Sequence, residues 1–209
     1  MNTILVLMPI SPTMTPILEG IARAMLRTLT NCEIHARVCD VVGDGRPFSA
    51  HAAARNAMLD WHLRPEHTHV LWIDADVVDY PADLPQHLLA ADPAAIVAPL
   101  PLIEESTRFY DVYGFRDSAG GAPHTDPPYL AGGPLVPMQA VGTCYLAPAS
   151  LYHAGVRYAP TAGQTEHWSV CQAAIAAGMP VYALQSLTIA HANLPRYGVA
   201  WHTVGGAAA

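Results

Sequence analysis

Apolar segments alternate with amphipathic segments through the first hundred residues, and this alternation restricts the fold more than any other feature of the sequence. Strands that alternate with helices in this way form a mostly parallel sheet with helices on both faces. The sequence therefore predicts an α/β fold with a mostly parallel central sheet flanked by helices. The predicted strands are residues 3–10, 33–42, 68–76 and 94–100, and the predicted helices between them are residues 17–29, 49–63 and 81–92.

The second half of the chain has a less regular pattern. Residues 101–140 are rich in Tyr, Gly and Pro and are predicted to be irregular or hairpin-like. So long a connection is usually functional or mobile. With 209 residues, the chain has the length of one large domain, and we expect a single domain over 1–209. Further elements are predicted as a strand at 139–148, helices at 150–155 and 164–180, and one or two strands at 181–195.

The composition favours a protein with a substantial core. Apolar residues make up 52% of the chain and charged residues 13%, which argues against disorder. The formal net charge is −7, and the ten basic residues, all Arg, are scattered. This argues against tight non-specific binding to nucleic acid. The four cysteines form no CxxC motif and are interpreted as reduced core thiols.

The N-terminal segment MNTILVLMPISPT is not expected to be a signal peptide. It has no basic residue before its apolar part and is broken at Pro9, so we interpret it as a buried strand rather than a signal peptide. No apolar stretch in the chain reaches the length of a membrane span. We therefore expect a cytoplasmic protein with no membrane span, and the sequence leaves the oligomeric state open.

Two carboxylates one residue apart, Asp74 and Asp76, follow an apolar run at the predicted end of a strand. In parallel sheets ligands bind at the carboxyl ends of the strands. Carboxylate oxygens suit Mg²⁺ or Mn²⁺, which keep coordination positions for water and for phosphates. His191, at another predicted strand end, is a candidate third ligand because neutral imidazole binds Mn²⁺. The alternative is a pair of solvated acids and an ordinary loop histidine.

The order of these segments resembles that of a small GT-A-fold glycosyltransferase. The segments are ILVLMP, AARNAML, HVLWIDADV, IVAP, GTCYLAP, TEHWSVCQAAIAAGMPVYAL and IAH, and the resemblance covers residues 3–195. The segment LWIDADVVDYPADL resembles the mannosyltransferases that build fungal mannan. The resemblance implies a single GT-A (Rossmann-like) domain, with residues 1–100 as the nucleotide-sugar-binding half and 101–209 as the acceptor-side half.

The resemblance also implies a set of donor and metal contacts. Asp76 would bind Mn²⁺ or Mg²⁺ directly, Asp74 would contact the donor ribose or the metal, and His191 would be the third protein contact to the metal. Arg55 would face the nucleotide or position the Asp-x-Asp strand. The other implied donor contacts are Pro9 with Asp40 or Asp44 at the base and ribose, and Gly142 with Thr143 at the sugar. The ion would neutralise the leaving diphosphate, which fits a sequence that contains neither GxGxxG nor GxxxxGK.

The segment Thr165-Glu166-His167 is the candidate catalytic motif. The order of the segments also resembles that of the large family of GT-A enzymes with a Glu-Asp acceptor-side motif. In the related inverting enzymes of this kind, the Glu-Asp pair opens a helix that ends at a glycine, and its acid deprotonates the acceptor hydroxyl. Glu166 and Gly178 keep this spacing, but His167 replaces the second acid. Glu166 or His167 would then be the general base. The alternative for Glu166 is a capping acid on an exposed first turn, and since the mannan-building relatives are retaining, the stereochemistry stays open.

Several other side chains have two interpretations. The aromatic segment 108–115 either stacks on an acceptor or a sugar, or forms a hairpin packed on the sheet. Trp168 is either an acceptor-side wall or a core residue, with the core favoured. Asp111 and Asp117, in and beyond the aromatic segment, are interpreted as solvated acids.

The sequence supports three hypotheses on function. The first is a metal-dependent glycosyltransferase that uses a UDP- or GDP-sugar and a hydroxyl acceptor, which could be a small molecule, a protein or a modified nucleic acid. The second is a nucleotidyltransferase, which also uses paired carboxylates and Mg²⁺ but releases pyrophosphate. The third is a non-catalytic relative that binds nucleotide sugars, which the replacement of the second acid by His167 supports.

Overall fold

The computed structural model describes residues 3–199, which form one nine-stranded sheet with helices on both faces. Across these residues, none of the helices has the length and apolar character that a bilayer span requires. The strands are β1 (Ile4–Ile10), β2 (Cys32–Val38), β3 (His69–Ile73), β4 (Val77–Asp79), β5 (Ile96–Ile103), β6 (Arg116–Asp117), β7 (Leu135–Ala140), β8 (Cys144–Pro148) and β9 (Val181–His191). The helices are α1 (Pro16–Leu26), α2 (Ser49–His62), α3 (Leu84–Ala91), α4 (Ala149–His153) and α5 (His167–Ala176), followed by a 3₁₀ turn (Leu194–Tyr197).

Most strands of the sheet run in the same direction. The strand order is β2-β1-β3-β8-β5-β9-β7-β6, and β4 pairs with β9 beside this path. β1 is parallel to β2 and β3, and β5 is parallel to β9, whereas β7 and β8 are antiparallel to their neighbours. Of the eight strands in this order, as the described residues form it, six therefore run in one direction and β7 and β8 run in the opposite direction. This confirms the predicted α/β fold with a mostly parallel sheet.

The two faces of the sheet are buried under different helices. On one face, Val6 and Leu71 pack in a cluster with residues of α1 and α3, and on the other face Leu5 and Val70 pack with residues of α2, α4 and α5. Strands covered on both sides need apolar residues at consecutive positions, which explains the continuous apolar runs in the sequence. The four cysteines are unpaired, and three of them are buried in these clusters.

The register of β3 and β8 brings the two segments of greatest interest together. Ile73, the last residue of β3, is opposite Cys144, the first residue of β8. Beyond this pair, the Asp74 amide donates a hydrogen bond of 2.9 Å to the Thr143 carbonyl. The Asp74–Asp76 segment and Gly142-Thr143 therefore lie side by side, at the edge of the sheet where β1 and β3 end.

Some element boundaries differ from the predictions. The predicted strand at 139–148 is two strands, β7 and β8, because residues 141–143 turn and Thr143 has a left-handed backbone (φ 55°). The predicted helix at 164–180 is shorter, and α5 begins at His167. The predicted final segment is a single strand that ends at His191, which confirms the predicted position of His191 at a strand end.

The aromatic segment in the middle of the chain is packed on the sheet through its two phenylalanines. Phe109 and Phe115 are buried in the core and contact each other edge to face, with ring centroids 5.2 Å apart. An isolated bridge between Leu102 and Phe109 joins the segment to β5. The predicted packing on the sheet is correct for these phenylalanines, whereas Tyr113 is 58% exposed.

A side-chain amide joins α2 to the connection between α4 and α5. Asn56 Nδ2 donates to the Tyr158 carbonyl at 2.9 Å, and the Tyr158 amide donates to Asn56 Oδ1 at 2.9 Å. Both backbone groups of Tyr158 are thus satisfied by one partly buried side chain. This positions the Tyr158 ring, which belongs to the layer of buried hydroxyl groups described below.

We expect Asn56→Ala to lower the free energy of unfolding by about 1–3 kcal/mol, because it leaves the donor and the acceptor of Tyr158 without partners. Urea denaturation followed by circular dichroism measures this. The control is Gln139→Ala, which removes one exposed side-chain hydrogen bond to the Ser118 carbonyl and should cost no more than about 0.5 kcal/mol. Equal effects of the two substitutions would contradict the prediction.

Candidate active site

A cavity of about 950 Å³ opens at the edge of the sheet where β1 and β3 end. The ends of β1 and β2 supply one wall through Pro9, Ile10 and Cys39. The segment after β3 supplies the centre with Asp74 and Asp76. The cavity is also lined by polar and aromatic side chains from four other parts of the chain. These are Arg55 and His51 from α2, Arg108, Tyr110, Asp111 and Tyr113 from the aromatic segment, Thr143 before β8, and Glu166 with His167 at the start of α5.

Asp76 and His191 form a close pair beside this cavity. His191 Nε2 lies 3.0 Å from Asp76 Oδ2, and its Nδ1 lies 3.0 Å from the Ala192 carbonyl oxygen. A carbonyl oxygen can only accept, so Nδ1 carries a proton and Nε2 faces the carboxylate. Burial lowers the pKa of His191, but Asp76 raises it more, so the pKa lies above its ordinary value. The Tyr110 ring stacks on the imidazole with centroids 3.3 Å apart.

Arg55 is a buried cation that joins two carboxylates. Its side chain is 3% exposed, and Nε donates to Glu166 Oε1 at 3.0 Å while Nη2 donates to Asp74 Oδ1 at 2.5 Å. The guanidinium also lies over the Trp72 ring, 5.1 Å from its centroid. A buried charge is tolerated only when it is paired, and here the pairing links α2, the end of β3 and the start of α5.

Glu166 and His167 lie in the interior at the start of α5. They are 3% and 5% exposed, and His167 Nε2 is 3.3 Å from Glu166 Oε1. Burial raises the pKa of Glu166, but His167 and Arg55 lower it more, to about 2. Burial lowers the pKa of His167 to about 4, against the opposing effect of Glu166. Because His167 is neutral above this pH, the permanent charge of Arg55 keeps Glu166 ionised at neutral pH.

The predicted alternative of Glu166 as a capping acid on an exposed turn is wrong. Glu166 occupies the N-cap position of α5, but it is buried and its side chain makes no capping hydrogen bond.

Trp168 packs against the core cluster and is absent from the described lining of the cavity, as the favoured interpretation expected.

A layer of buried hydroxyl groups supports His167. The Tyr145 hydroxyl lies 3.4 Å from His167 Nδ1 and is hydrogen-bonded to the Tyr158 hydroxyl. Tyr158 is 3.1 Å from the Tyr152 hydroxyl, to which Trp72 Nε1 donates at 3.0 Å. These rings are buried, and burial raises the pKa of Tyr152 to about 12, so the layer stays uncharged at neutral pH.

Asp111 is not the solvated acid that was predicted. It lines the cavity, accepts a 2.8 Å hydrogen bond from Thr143 Oγ1 on Oδ2, and accepts a 2.6 Å bond from the Gly114 amide on Oδ1. Burial raises the pKa of its carboxyl, and the two hydrogen bonds lower it only in part. A Cβ at Gly142 would collide with Asp111 Oδ2. The spacing Asp-x-x-Gly at 111–114, typical of a carboxylate that caps a turn, was the available sequence signal.

The structure brings most of the predicted site residues together. Pro9, Arg55, Asp74, Asp76, Thr143, Glu166 and His167 line the cavity, His191 contacts Asp76, and Gly142 lies under Asp111. Asp40 and Asp44 are exposed and lie outside the described lining, and Asp44 pairs with Arg46. Side chains that the sequence interpretation missed are Asp111 and His51, and Tyr110, which covers His191.

The residues present fit a divalent ion that is only partly held by protein. Within residues 3–199, no group of three or more His, Cys, Asp or Glu side chains is arranged to hold a metal. Asp76 and His191 are two suitable donors, and the bond from His191 Nδ1 to a carbonyl fixes the ring so that Nε2 can serve a metal. Asp74 is occupied by Arg55 on one oxygen. Mg²⁺ and Mn²⁺ commonly take their remaining ligands from water and phosphates.

Comparison with known proteins agrees with this architecture. Residues 46–124 match the Anp1 family model, which is of the mannosyltransferase type. No curated protein matches the chain by sequence. The matched segment contains α2, the Asp74–Asp76 segment and the aromatic segment with Asp111.

Two solved structures are similar to this chain in fold. S. aureus TarS 1–349 has a TM-score of 0.55 at 9% identity, over 93% of this chain and 61% of that one. A Drosophila β1,4-galactosyltransferase 7 variant, in complex with manganese, UDP-Gal and xylobiose, has a TM-score of 0.51 at 13% identity, over 100% of this chain and 76% of that one. The chain thus spans 61% of the TarS structure's length. The predicted resemblance to GT-A-fold glycosyltransferases is confirmed at the level of the fold.

We expect His167 to make the protein less stable in acid. Its folded pKa of about 4 is below the unfolded value of 6.5, so its contribution to stability is complete above pH 6.5 and is lost as the pH falls toward 4. Between pH 7 and 4.5 the free energy of unfolding should fall by about 2 kcal/mol more in the wild type than in His167→Gln. Urea denaturation at several pH values measures this. The exposed His87→Gln control should keep the wild-type slope, and an unchanged slope in His167→Gln would refute the prediction.

We expect Arg55→Met to cost about 3–5 kcal/mol of stability, because it leaves the buried Glu166 carboxylate without its cation. The double variant Arg55→Met/Glu166→Gln should be more stable than Arg55→Met, since it also removes the unpaired charge. Chemical denaturation of the single and double variants measures the coupling. The matched control is Arg46→Met, which breaks the exposed pair with Asp44 and should leave the denaturation midpoint unchanged. The prediction would be contradicted if the losses of unfolding free energy caused by the Arg55 and Glu166 substitutions simply added up in the double variant.

Proposed function

We propose that the chain is a metal-dependent glycosyltransferase that moves a sugar from a nucleotide-diphosphate sugar to a hydroxyl acceptor. The observation that carries this proposal is the convergence of Asp74, Asp76, His191 and Arg55 on one cavity at the carboxyl ends of β1 and β3. Ligands of α/β sheets bind at this edge. The Anp1 match and the GT-A-type fold support the same class of enzyme.

Asp76 and His191 are the groups that would hold Mn²⁺ or Mg²⁺, with Asp74 on the metal or on the donor ribose. When bound, the ion would neutralise charge on the diphosphate as it leaves. The galactosyltransferase structure with a similar fold contains manganese and UDP-Gal, which supports a UDP-sugar and a divalent ion here. A GDP-sugar is the alternative donor.

Arg55, Glu166 and His167 would act together. Glu166 and His167 are the proposed candidates for the general base, but in this conformation Glu166 is held by Arg55 and His167 by Tyr145. Their contacts favour a positioning role, in which Glu166 keeps Arg55 on Asp74 and thereby fixes the segment that carries Asp76. A role as base would require that the Glu166–Arg55 pair opens when the acceptor binds.

The acceptor is a hydroxyl compound that enters from the side of the aromatic segment. Tyr113 and Arg108 line the cavity there, and the exposed Tyr113 ring provides a flat surface on which a sugar or a base could stack. A small molecule, a protein side chain and a modified nucleic acid all remain candidates for the acceptor.

We expect one nucleotide sugar from a panel of UDP- and GDP-sugars to bind the wild type with Mn²⁺ and to be released by chelator. Asp76→Ala should weaken this binding at least tenfold, since it removes one of the two protein donors proposed for the metal. Calorimetric titration measures the affinities. The control Asp79→Ala removes an exposed carboxylate three residues further along the chain and should bind as the wild type does.

The released product identifies the reaction. Sugar transfer releases a nucleoside diphosphate, whereas nucleotidyl transfer releases pyrophosphate, and chromatography of the reaction mixture separates the two. If the affinity for nucleotide sugars is the same with Mn²⁺ and with chelator, and the same in the wild type and in Asp76→Ala, the proposed metal dependence is contradicted. Absence of turnover with every donor would favour a non-catalytic protein.

A further inference from the structure

The strand order divides the cavity into three parts. The ends of β2 and β1 border one side through Cys39 and Pro9, β3 borders the centre through Asp76, and the start of β8 borders the other side through Thr143. A nucleotide sugar whose diphosphate lies at Asp76 has its nucleoside and its sugar on opposite sides of that point. If the nucleoside lies at the ends of β1 and β2, the sugar lies at Thr143.

Asp111 is the carboxylate on the sugar side of this division. Its Oδ2 accepts the Thr143 hydroxyl hydrogen, and Thr143 adjoins Asp74 through the hydrogen bond between their main chains. The other carboxylates of the cavity are paired with cationic or imidazole groups, Glu166 and Asp74 with Arg55, and Asp76 with His191. Asp111 is bonded instead to a neutral hydroxyl and a neutral amide. It is therefore the carboxylate best able to serve a neutral ligand.

The hydrogen-bonding capacity of Asp111 is not used up by the protein. An ionised carboxylate has about four acceptor positions. One on Oδ1 is occupied by the Gly114 amide and one on Oδ2 by Thr143 Oγ1. One position on each oxygen has no partner among the described residues, and we expect these positions to accept the vicinal hydroxyls of a hexose.

The backbone around Asp111 is constrained to hold it in this position. Thr143 is a β-branched residue with a left-handed φ of 55°, a conformation that usually costs about 1–3 kcal/mol. This conformation directs Oγ1 to Asp111, and glycines at 114 and 142 leave the space that the carboxylate occupies. Strained backbone of this kind is concentrated at functional sites.

We propose that Asp111 binds hydroxyl groups of the transferred sugar and selects a neutral hexose over a uronate. This inference rests on the proposed function, since it assigns the sugar subsite of the same cavity. A neutral sugar donates hydrogen bonds to Asp111. A uronate carboxylate would be repelled by Asp111 and by the neighbouring Glu166, because like charges in a partly buried site interact strongly.

The test compares the binding of nucleotides with and without a sugar, in the presence of Mn²⁺. Calorimetric titrations use UDP, GDP, UDP-glucose, UDP-galactose, GDP-mannose and UDP-glucuronic acid, with the wild type and Asp111→Asn. One neutral nucleotide sugar is expected to bind the wild type. We expect Asp111→Asn to lower the affinity for this nucleotide sugar by about 10- to 100-fold, the range for a hydrogen bond to a charged group. The affinity for UDP or GDP alone should change by less than about twofold, since neither nucleotide reaches Asp111. The preference for the neutral sugar over UDP-glucuronic acid should also narrow.

Two further variants separate this role from a structural one. The control Asp117→Asn changes a carboxylate that caps a turn through the Ala119 and Gly121 amides outside the cavity, and it should bind every ligand as the wild type does. Thr143→Ala removes the hydroxyl that orients Asp111 and relieves the strain of a β-branched residue. It should show the same selective loss for the sugar nucleotide, and it keeps the test available if Asp111→Asn fails to fold.

The outcomes distinguish this inference from the proposed function. A wild type that binds neither UDP nor GDP with Mn²⁺ would overturn both. A wild type that binds a nucleotide, together with an Asp111→Asn variant that retains its sugar nucleotide affinity or loses affinity equally for the free nucleotide, would overturn the role of Asp111 alone. A wild type that prefers UDP-glucuronic acid to the neutral sugars would overturn the proposed selectivity.

Discussion

The buried guanidinium of Arg55 is the interaction on which the rest of the site depends. A cation that is 3% exposed must be paired, and Arg55 meets this requirement with Asp74 after β3 and Glu166 before α5. Its Nη1 is buried with no hydrogen-bond partner among the described residues, and the guanidinium lies over the rings of Trp72 and Tyr158. The pairing therefore fixes three elements relative to each other, and with them the segment that ends in Asp76.

The layer of hydrogen-bonded aromatic residues beneath Arg55 supports this arrangement. Trp72 donates to Tyr152, and the hydroxyls of Tyr152, Tyr158 and Tyr145 continue the chain of hydrogen bonds to His167. A buried polar network stabilises one conformation only when each of its groups is satisfied, because low dielectric makes an unpaired group costly. Each aromatic ring also supplies core area, so packing and hydrogen bonding select the same conformation.

Much of the fold could be predicted from the sequence, but less of the site. The apolar runs that form β1, β3 and β5 are buried on both faces, so local pattern and tertiary environment agree there. The turn at 141–143 was missed because a left-handed Thr143 has no signature in an apolar pattern. Glu166 lies 111 residues from Arg55 in the sequence, so their pairing depends on how α2 and α5 pack. Asp111 was interpreted as solvated for the same reason, because its partner Thr143 is 32 residues away.

The charge balance of the cavity bears on what it can bind. The side chains of Asp74, Asp76, Asp111 and Glu166 place four carboxyl groups around the space, and they are opposed by the permanent charges of Arg55 and Arg108. A diphosphate that enters this space adds negative charge at short range, where repulsion is not well screened. Arg55 is already engaged with two carboxylates, so it cannot neutralise the ligand as well. The divalent cation proposed at Asp76 and His191 would resolve this conflict, because it would let an acidic cavity bind an acidic donor and would leave Asp111 available for hydroxyl groups.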